Sequence, residues 1–276
     1  MELKGIDISN AQGNINFDLL KPEVDFVIIR CGWGGDYTKQ DDPKFNEYRQ
    51  ACIDRGIPYG VYLYSYALNT DNAKSEAAHT IRLLNGIKPP LGVWYDMEDA
   101  DHYKQKHGIN VYNARQLLTT FCQIYCDALI EAGYDCGIYA NYDYWKNVLI
   151  KEALTAYPIW LAIWGPSKPP MECKIWQYTN GGAVDGINGN VDMDILYSDE
   201  PTPEPTKERS ISGMPILHKG SNNKSVAVWQ TIIHAFPDGN FDDLTEELTK
   251  RFQEEHGISA DGVVGSDSWN VGINSL

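Results

Sequence analysis

Three short runs place carboxylates where they could act together: Asp7 in GIDIS, Asp96 and Glu98 in WYDMED, and Asp192 with Asp194 in NVDMDI. In GVWYDME, alternation at period two puts Trp94, Asp96 and Glu98 on one strand face and Val93, Tyr95 and Met97 on the other. Positions two apart on a strand are separated by roughly 6.6–7 Å, so the Asp96 and Glu98 side chains converge on one small volume. Paired carboxyls suit glycoside hydrolysis, in which a group with a raised pKa donates a proton and an ionised one meets developing positive charge. D-x-E is also a common tripeptide on solvated edges. Its position at the end of a buried run, with further acids ending other runs, is what favours chemistry.

Aromatic residues point the same way. Tyr62, Tyr64 and Tyr66 alternate along YGVYLYSY, while Trp33, Tyr139, Trp160, Trp164, Trp176 and Tyr178 lie in or beside other strand-like runs. A flat ring with a polar tip suits a sugar face, although most rings on such runs simply fill a core. Tyr62, Tyr64, Trp33, Tyr139 and Trp176, with Gln177 beside the last, are the expected substrate-binding residues.

The elements that must position these groups are legible as eight strand-like runs: 3–9, 25–31, 59–66, 92–98, 136–141, 158–164, 174–179 and 190–197. Amphipathic segments separate the early ones. The clearest, Val111 to Glu131, repeats Ala114, Leu117, Leu118, Phe121, Cys122, Tyr125, Ala128 and Leu129 at three and four, with Asn110 as expected N-cap and Gly133 as stop. Alternation of strand and helix implies parallel pairing through crossovers. Eight strands in so short a span fit a compact α/β barrel of the TIM type better than a doubly wound sheet. After residue 158 the strands follow too closely for full helices, so the end of the barrel should be irregular. In such a barrel, chemistry sits at the C-terminal ends of the strands.

Composition excludes other classes. The 276 residues carry 23 basic and 38 acidic side chains, a net charge of -15, with none of the clustered cations that nucleic acid requires. No apolar run reaches the length of a membrane span, and the opening MELKGIDIS lacks the basic-then-apolar pattern of a signal peptide. The expectation is therefore no nucleic acid, no membrane insertion, and synthesis in a cytoplasm with later release. The six cysteines form no C-x-x-C pair and the six histidines no H-E-x-x-H, so neither a metal nor another cofactor is expected.

The composition changes near residue 200. All 17 tyrosines lie at or before Tyr197, and SDEPTPEPTKERSISG, with Pro201, Pro203 and Pro205, follows as a semi-extended linker. The expected parts are a barrel over 1–197, a linker over 198–213 and a small all-α three-helix domain over 214–276. In the last, Val226, Trp229, Ile233 and Phe236 share one helical face and Leu244, Leu248 and Phe252 another.

GIDISNAQGNINF, GVYLYSYA, VWYDMED, GIYANYDYW, IWQYTNGG and GNVDMD, in that order, resemble glycoside hydrolase family 25, the bacterial and phage N-acetylmuramidases. The resemblance covers residues 3–197. It implies an irregular (β/α)5(β)3 barrel and cleavage, with retention, of the β-1,4 bond from N-acetylmuramic acid to N-acetylglucosamine in bacterial peptidoglycan. It also assigns Glu98 as general acid/base, Asp96 as its partner carboxylate, and Asp7 and Asp192 as the remaining acids of the site. Whether an Asp attacks or orients the substrate's acetamido group stays open. The C-terminal order LHKGSNNKSVAVWQ, DGNF, TKRFQEEHGISADGVVGSDSW resembles the peptidoglycan-binding module found beside wall hydrolases. Together they imply a modular muramidase, and the lack of an export signal makes a phage endolysin the expected setting. The alternatives are a non-catalytic wall binder on a degenerate barrel and a chitinase-like enzyme. The latter normally has a longer acid run before its Glu, where this chain has Trp94 and Tyr95.

Overall fold

The computed structural model describes residues 1–198 and 214–275. The chain divides into two compact units, Met1–Thr206 and Lys207–Leu276. All of the expected linker except Ser198 lies outside the described residues.

In the first unit β1 (Glu2–Ile8), a short α1 (Phe17–Leu20), β2 (Phe26–Trp33), α2 (Phe45–Arg55), β3 (Tyr59–Tyr64), α3 (Thr70–Leu84) and β4 (Val93–Asp96) alternate. After them come a one-turn α4 (Tyr103–Lys106), the long α5 (Arg115–Glu131) and β5 (Cys136–Asn141). Next are β6 (Ile159–Ala162), β7 (Ile175–Gly182) and β8 (Val191–Tyr197), with no α-helix between them. The eight strands close in sequence order into a barrel. Pairing is parallel from β1 to β7, but β8 runs antiparallel to both β7 and β1, a departure from uniform parallel pairing. The chain after β7 is too short for a crossover helix, so it returns as a hairpin.

Two apolar layers hold the barrel. Outside, Ile6, Ile8, Val27, Ile29, Val61, Val93 and Tyr95 pack against the buried faces of the helices. Inside, Phe26, Ile28, Tyr62, Trp94, Tyr139, Trp160 and Ile175 form a separate cluster that fills the lumen, as expected of a barrel of eight strands. Glycines make room for these rings. A side chain at Gly137 would collide with Trp94, and one at Gly5 with the Phe26 ring.

Helix α5, between β4 and β5, begins at Arg115, four residues later than its apolar spacing suggests. Asn110 caps a preceding turn instead, its Oδ1 accepting from the Tyr112 and Asn113 amides at 3.1 and 3.3 Å.

The second unit packs α6 (Lys224–Ile232), α7 (Asp243–Glu255) and α8 (Ser266–Asn274) around Trp229, Phe252 and Trp269, with Leu217, Val226, Phe241 and Val264. Phe236 is 82% exposed and Leu244 58%, so neither joins the core as helical spacing suggested. Helix α6 ends at Ile232 and His234 adopts φ 56°, which takes the chain off the helical path before Phe236. The side chain of Asp242 caps α7, leaving Leu244 in its outward first turn. An internal repeat emerges. The Gln230 Nε2 donates to Asp238 Oδ1, Asn240 O and Thr245 Oγ1 while its Oε1 accepts from Gly239 N. Gln253 repeats this with Asp261 Oδ1, Val263 O, Ser268 Oγ and Gly262 N.

Candidate active site

Asp96 is the last residue of β4 and Tyr64 the last of β3, and the two are paired in register, as are Asp96 and Tyr139 on β5. Asp7 lies one residue from the end of β1 opposite Asp192, the second residue of β8. Because β8 is reversed, its beginning reaches the same rim as the ends of the parallel strands. Glu98 stands two residues beyond the last ladder position of β4, so it leaves the strand but stays at the rim. The structure thus brings Asp7, Asp96, Glu98 and Asp192 to one end of the barrel.

Burial dominates the electrostatics. Desolvation disfavours an anion, and neighbouring carboxylates disfavour it further. Both effects push the Asp7 and Asp96 carboxyls well above the usual range, Asp7 being flanked by Asp194 and Asp192, and Asp96 by Glu98. Burial also raises Glu98, to about 7, against the lowering effect of the Lys104 ammonium, and raises Asp192. Asp194, one pleat deeper than Asp192, is fully buried and pushed up to about 8. Trp160 Nε1 donates to its Oδ1 at 2.8 Å, its Oδ2 has no donor among the described residues, and the Asp7 carboxyl lies within hydrogen-bonding reach of the Asp194 carboxyl. Two acceptors can bond there only by sharing a proton.

A relay holds the other side of Asp7. Tyr139 OH donates to Gln177 Oε1 at 3.1 Å, and Gln177 Nε2 donates to Asp7 Oδ2 at 2.8 Å. Tyr62 and Tyr139 pack edge-on against Trp160 and form the floor beneath the acids. A bulge between Arg30 and Gly32 brings Trp33 rather than Gly32 opposite Tyr64, with the Arg30 guanidinium 5.2 Å from the Trp33 ring centroid. Trp176 is the one expected sugar contact set apart. Strand alternation turns it away from the face on which Gln177 meets Asp7, and its Nε1 donates to Ile163 O at 3.0 Å.

A cleft of about 380 Å³ opens beside Tyr64, lined by Arg30, Tyr66, Ala100 and Asp101. Sequence reasoning missed Arg30, which donates to Asp42 at 2.9 Å and to Asn10. It also missed the buried pair Glu76 and Lys104. Glu76 had left a signal, an acid on the same α3 face as Ala73, Ala77 and Thr80; Lys104, in a polar loop, left none.

A family model described as "Glycosyl hydrolases family 25" matches residues 6–187, and one described as "Putative peptidoglycan binding domain" matches residues 235–271. Over 195 residues, 70% of its length, the chain is 27% identical to the autolytic lysozyme of Clostridium acetobutylicum, of which it covers 55%. Lysozyme M1 of Streptomyces globisporus is 23% identical over 198 residues, 69% of this chain and 66% of that protein. A solved structure of the modular autolysin LytC from Streptococcus pneumoniae, in complex with a synthetic peptidoglycan ligand, superposes with a TM-score of 0.62. It is 26% identical over 71% of this chain and 47% of that one. The chain spans about half the length of the autolytic lysozyme and of LytC.

Proposed function

The chain belongs to glycosyl hydrolases family 25, and from that premise we propose that it is a lysozyme-type N-acetylmuramidase. The bond cut is the β-1,4 link from N-acetylmuramic acid to N-acetylglucosamine in bacterial peptidoglycan, with retention at the anomeric carbon. The observation that carries this reading is the gathering of Asp96, Glu98, Asp7 and Asp192 at one end of the barrel, where burial pushes the Glu98 carboxyl up to about 7.

Protonated Glu98 donates to the leaving glycosidic oxygen as positive charge grows on the sugar ring. In its anionic form, which the positive charge growing on the ring favours over the protonated one, Asp96 stabilises that charge or orients the substrate's acetamido group. Glu98 then takes a proton from the attacking water, returning to its starting state. Asp7 and Asp192 complete the acidic rim around that pair, Gln177 holding Asp7 in place. Trp33, Tyr64 and the Tyr62–Tyr139 floor offer ring faces and hydroxyls to the glycan. The C-terminal module holds the enzyme on its insoluble polymer, raising local concentration without a new contact in the site. The setting proposed is a phage endolysin, made in the host cytoplasm and released onto the wall.

Glu98→Gln keeps the shape and removes the acid. Clearing of purified walls should fall by about 10³-fold or more, while the variant still sediments with walls. Activity of the unaltered protein should decline as pH rises through about 7, where Glu98 loses its proton. Clearing by the Gln variant at the unaltered rate would remove Glu98 from this role.

A further inference from the structure

The loop after β4 carries a lysine that its polar sequence hides. Lys104 is fully buried, and its Nζ donates to the carbonyl oxygens of Ser65 at 2.5 Å and Glu98 at 2.8 Å. Ser65 follows β3 and Glu98 follows β4, so one ammonium ties together the chain leaving two adjacent strands. The loop is built to deliver it. Asp99 accepts from the Lys104 and Gln105 amides at 2.7 and 3.1 Å, and Asp101 accepts from Tyr66 OH at 2.7 Å while the Tyr66 and Tyr103 rings pack at 4.4 Å.

Burying an ammonium is costly unless it is bonded and compensated. Two carbonyl acceptors and the buried Glu76 of α3 meet that need. Glu76 is itself held by Tyr95 OH, Ser65 Oγ and the Tyr66 amide. An apolar side chain would serve a purely space-filling role at lower cost.

We propose, on the reading that Glu98 is the proton donor, that Lys104 is a positioning residue that fixes the Glu98 peptide unit and places a cation beneath the acid pair. The groups facing Lys104 are Glu76 of α3, Asp96 of β4, Asp99 of its own loop and Cys122 of α5. Those facing Glu98 are Lys104, Asp192 of β8, Asp101 and Asp99 of the loop, Asp96, and the hydroxyls of Tyr64, Tyr139 and Tyr144. All but Lys104 are acids or neutral phenols, so its loss removes the charge that restrains the upward push of burial on Glu98.

The test compares Lys104→Met and Lys104→Gln in the full chain, with pH–rate profiles, kcat and KM on wall material and melting curves. Both variants should move the alkaline limb up by about one pH unit, since both lose the cation. The Met variant, which also frees two carbonyls, should lose about 10-fold to 100-fold in kcat with KM little changed. The Gln variant, retaining an N–H donor, should lose less. An unmoved limb in either folded variant would overturn the proposal, even with a lowered melting point. Should neither variant fold, the Lys104 Nζ resonance of the unaltered protein provides the readout. It should titrate with the midpoint of the alkaline limb, and a flat response would refute the assignment. Full activity of Glu98→Gln would instead remove the underlying reading, so the two failures are distinguishable.

Discussion

The barrel and the C-terminal module bury polar side chains in opposite ways. In the module Gln230 and Gln253 are each bonded through both ends of the amide to the loop that follows their helix. In the barrel, Asp96 Oδ1 and Asp194 Oδ2 are buried with no donor among the described residues, and acids on three strands crowd together. A satisfied buried amide fixes one loop conformation and has nothing left to offer. A carboxyl cluster left short of donors holds its protons to unusually high pH and keeps free lone pairs for an incoming molecule. The arrangement costs stability, which the packed aromatic lumen beneath it can offset.

The sharpest way to break this contrast is to remove one orphaned acid. Asp96→Asn should lower turnover by about 10²-fold or more, with melting at pH 7 unchanged or higher; equal turnover would make the cluster ordinary. Next, deleting residues 207–276 should weaken wall binding by about 10²-fold while leaving turnover on soluble fragments within about twofold. Added salt should do little harm, because a chain of net charge -15 gains no long-range pull towards a polyanionic wall. Within the module, Gln253→Leu strands the buried Gly262 amide and takes one of two donors from Asp261 Oδ1, which keeps the Val263 amide, and from Val263 O, which keeps Ser268 Oγ. It should cost about 2–4 kcal/mol in module stability, read by calorimetry, with no change in cutting of soluble fragments.

The smallest effect concerns pH. The folded protein holds Glu98 protonated to about 7, against an ordinary value near 4.5. Between those values the folded state binds more protons than the unfolded one, so the group subtracts stability as pH rises. Glu98→Gln should therefore melt a few degrees higher at pH 8, at about 2–4 °C per kcal/mol, and gain nothing at pH 4. A gain equal at both pH values would contradict the shift.

All eight strands were legible from alternation and spacing, and so were the acids, because period two marks a face. The reversal of β8 was not, since strand direction depends on how the chain returns after β7. Its consequence is that Asp192 reaches the rim from the beginning of its strand while Asp194 lies below. The start of α5 was misplaced because Val111 and Ala114 continue an apolar rhythm across a capped turn. Phe236 and Leu244 kept that rhythm too, past the helix end at Ile232 and just inside the Asp242 cap. Lys104 lay beyond any pattern. Its burial depends on accepting carbonyls of residues 39 and 6 positions away, and no local period encodes such acceptors.

The most direct test of the central claim is mass spectrometry of peptidoglycan digested by the protein and then reduced with borohydride. The account predicts reduced muramic acid at the new ends, from the bond that Glu98 protonates. Reduced glucosamine at those ends would contradict it.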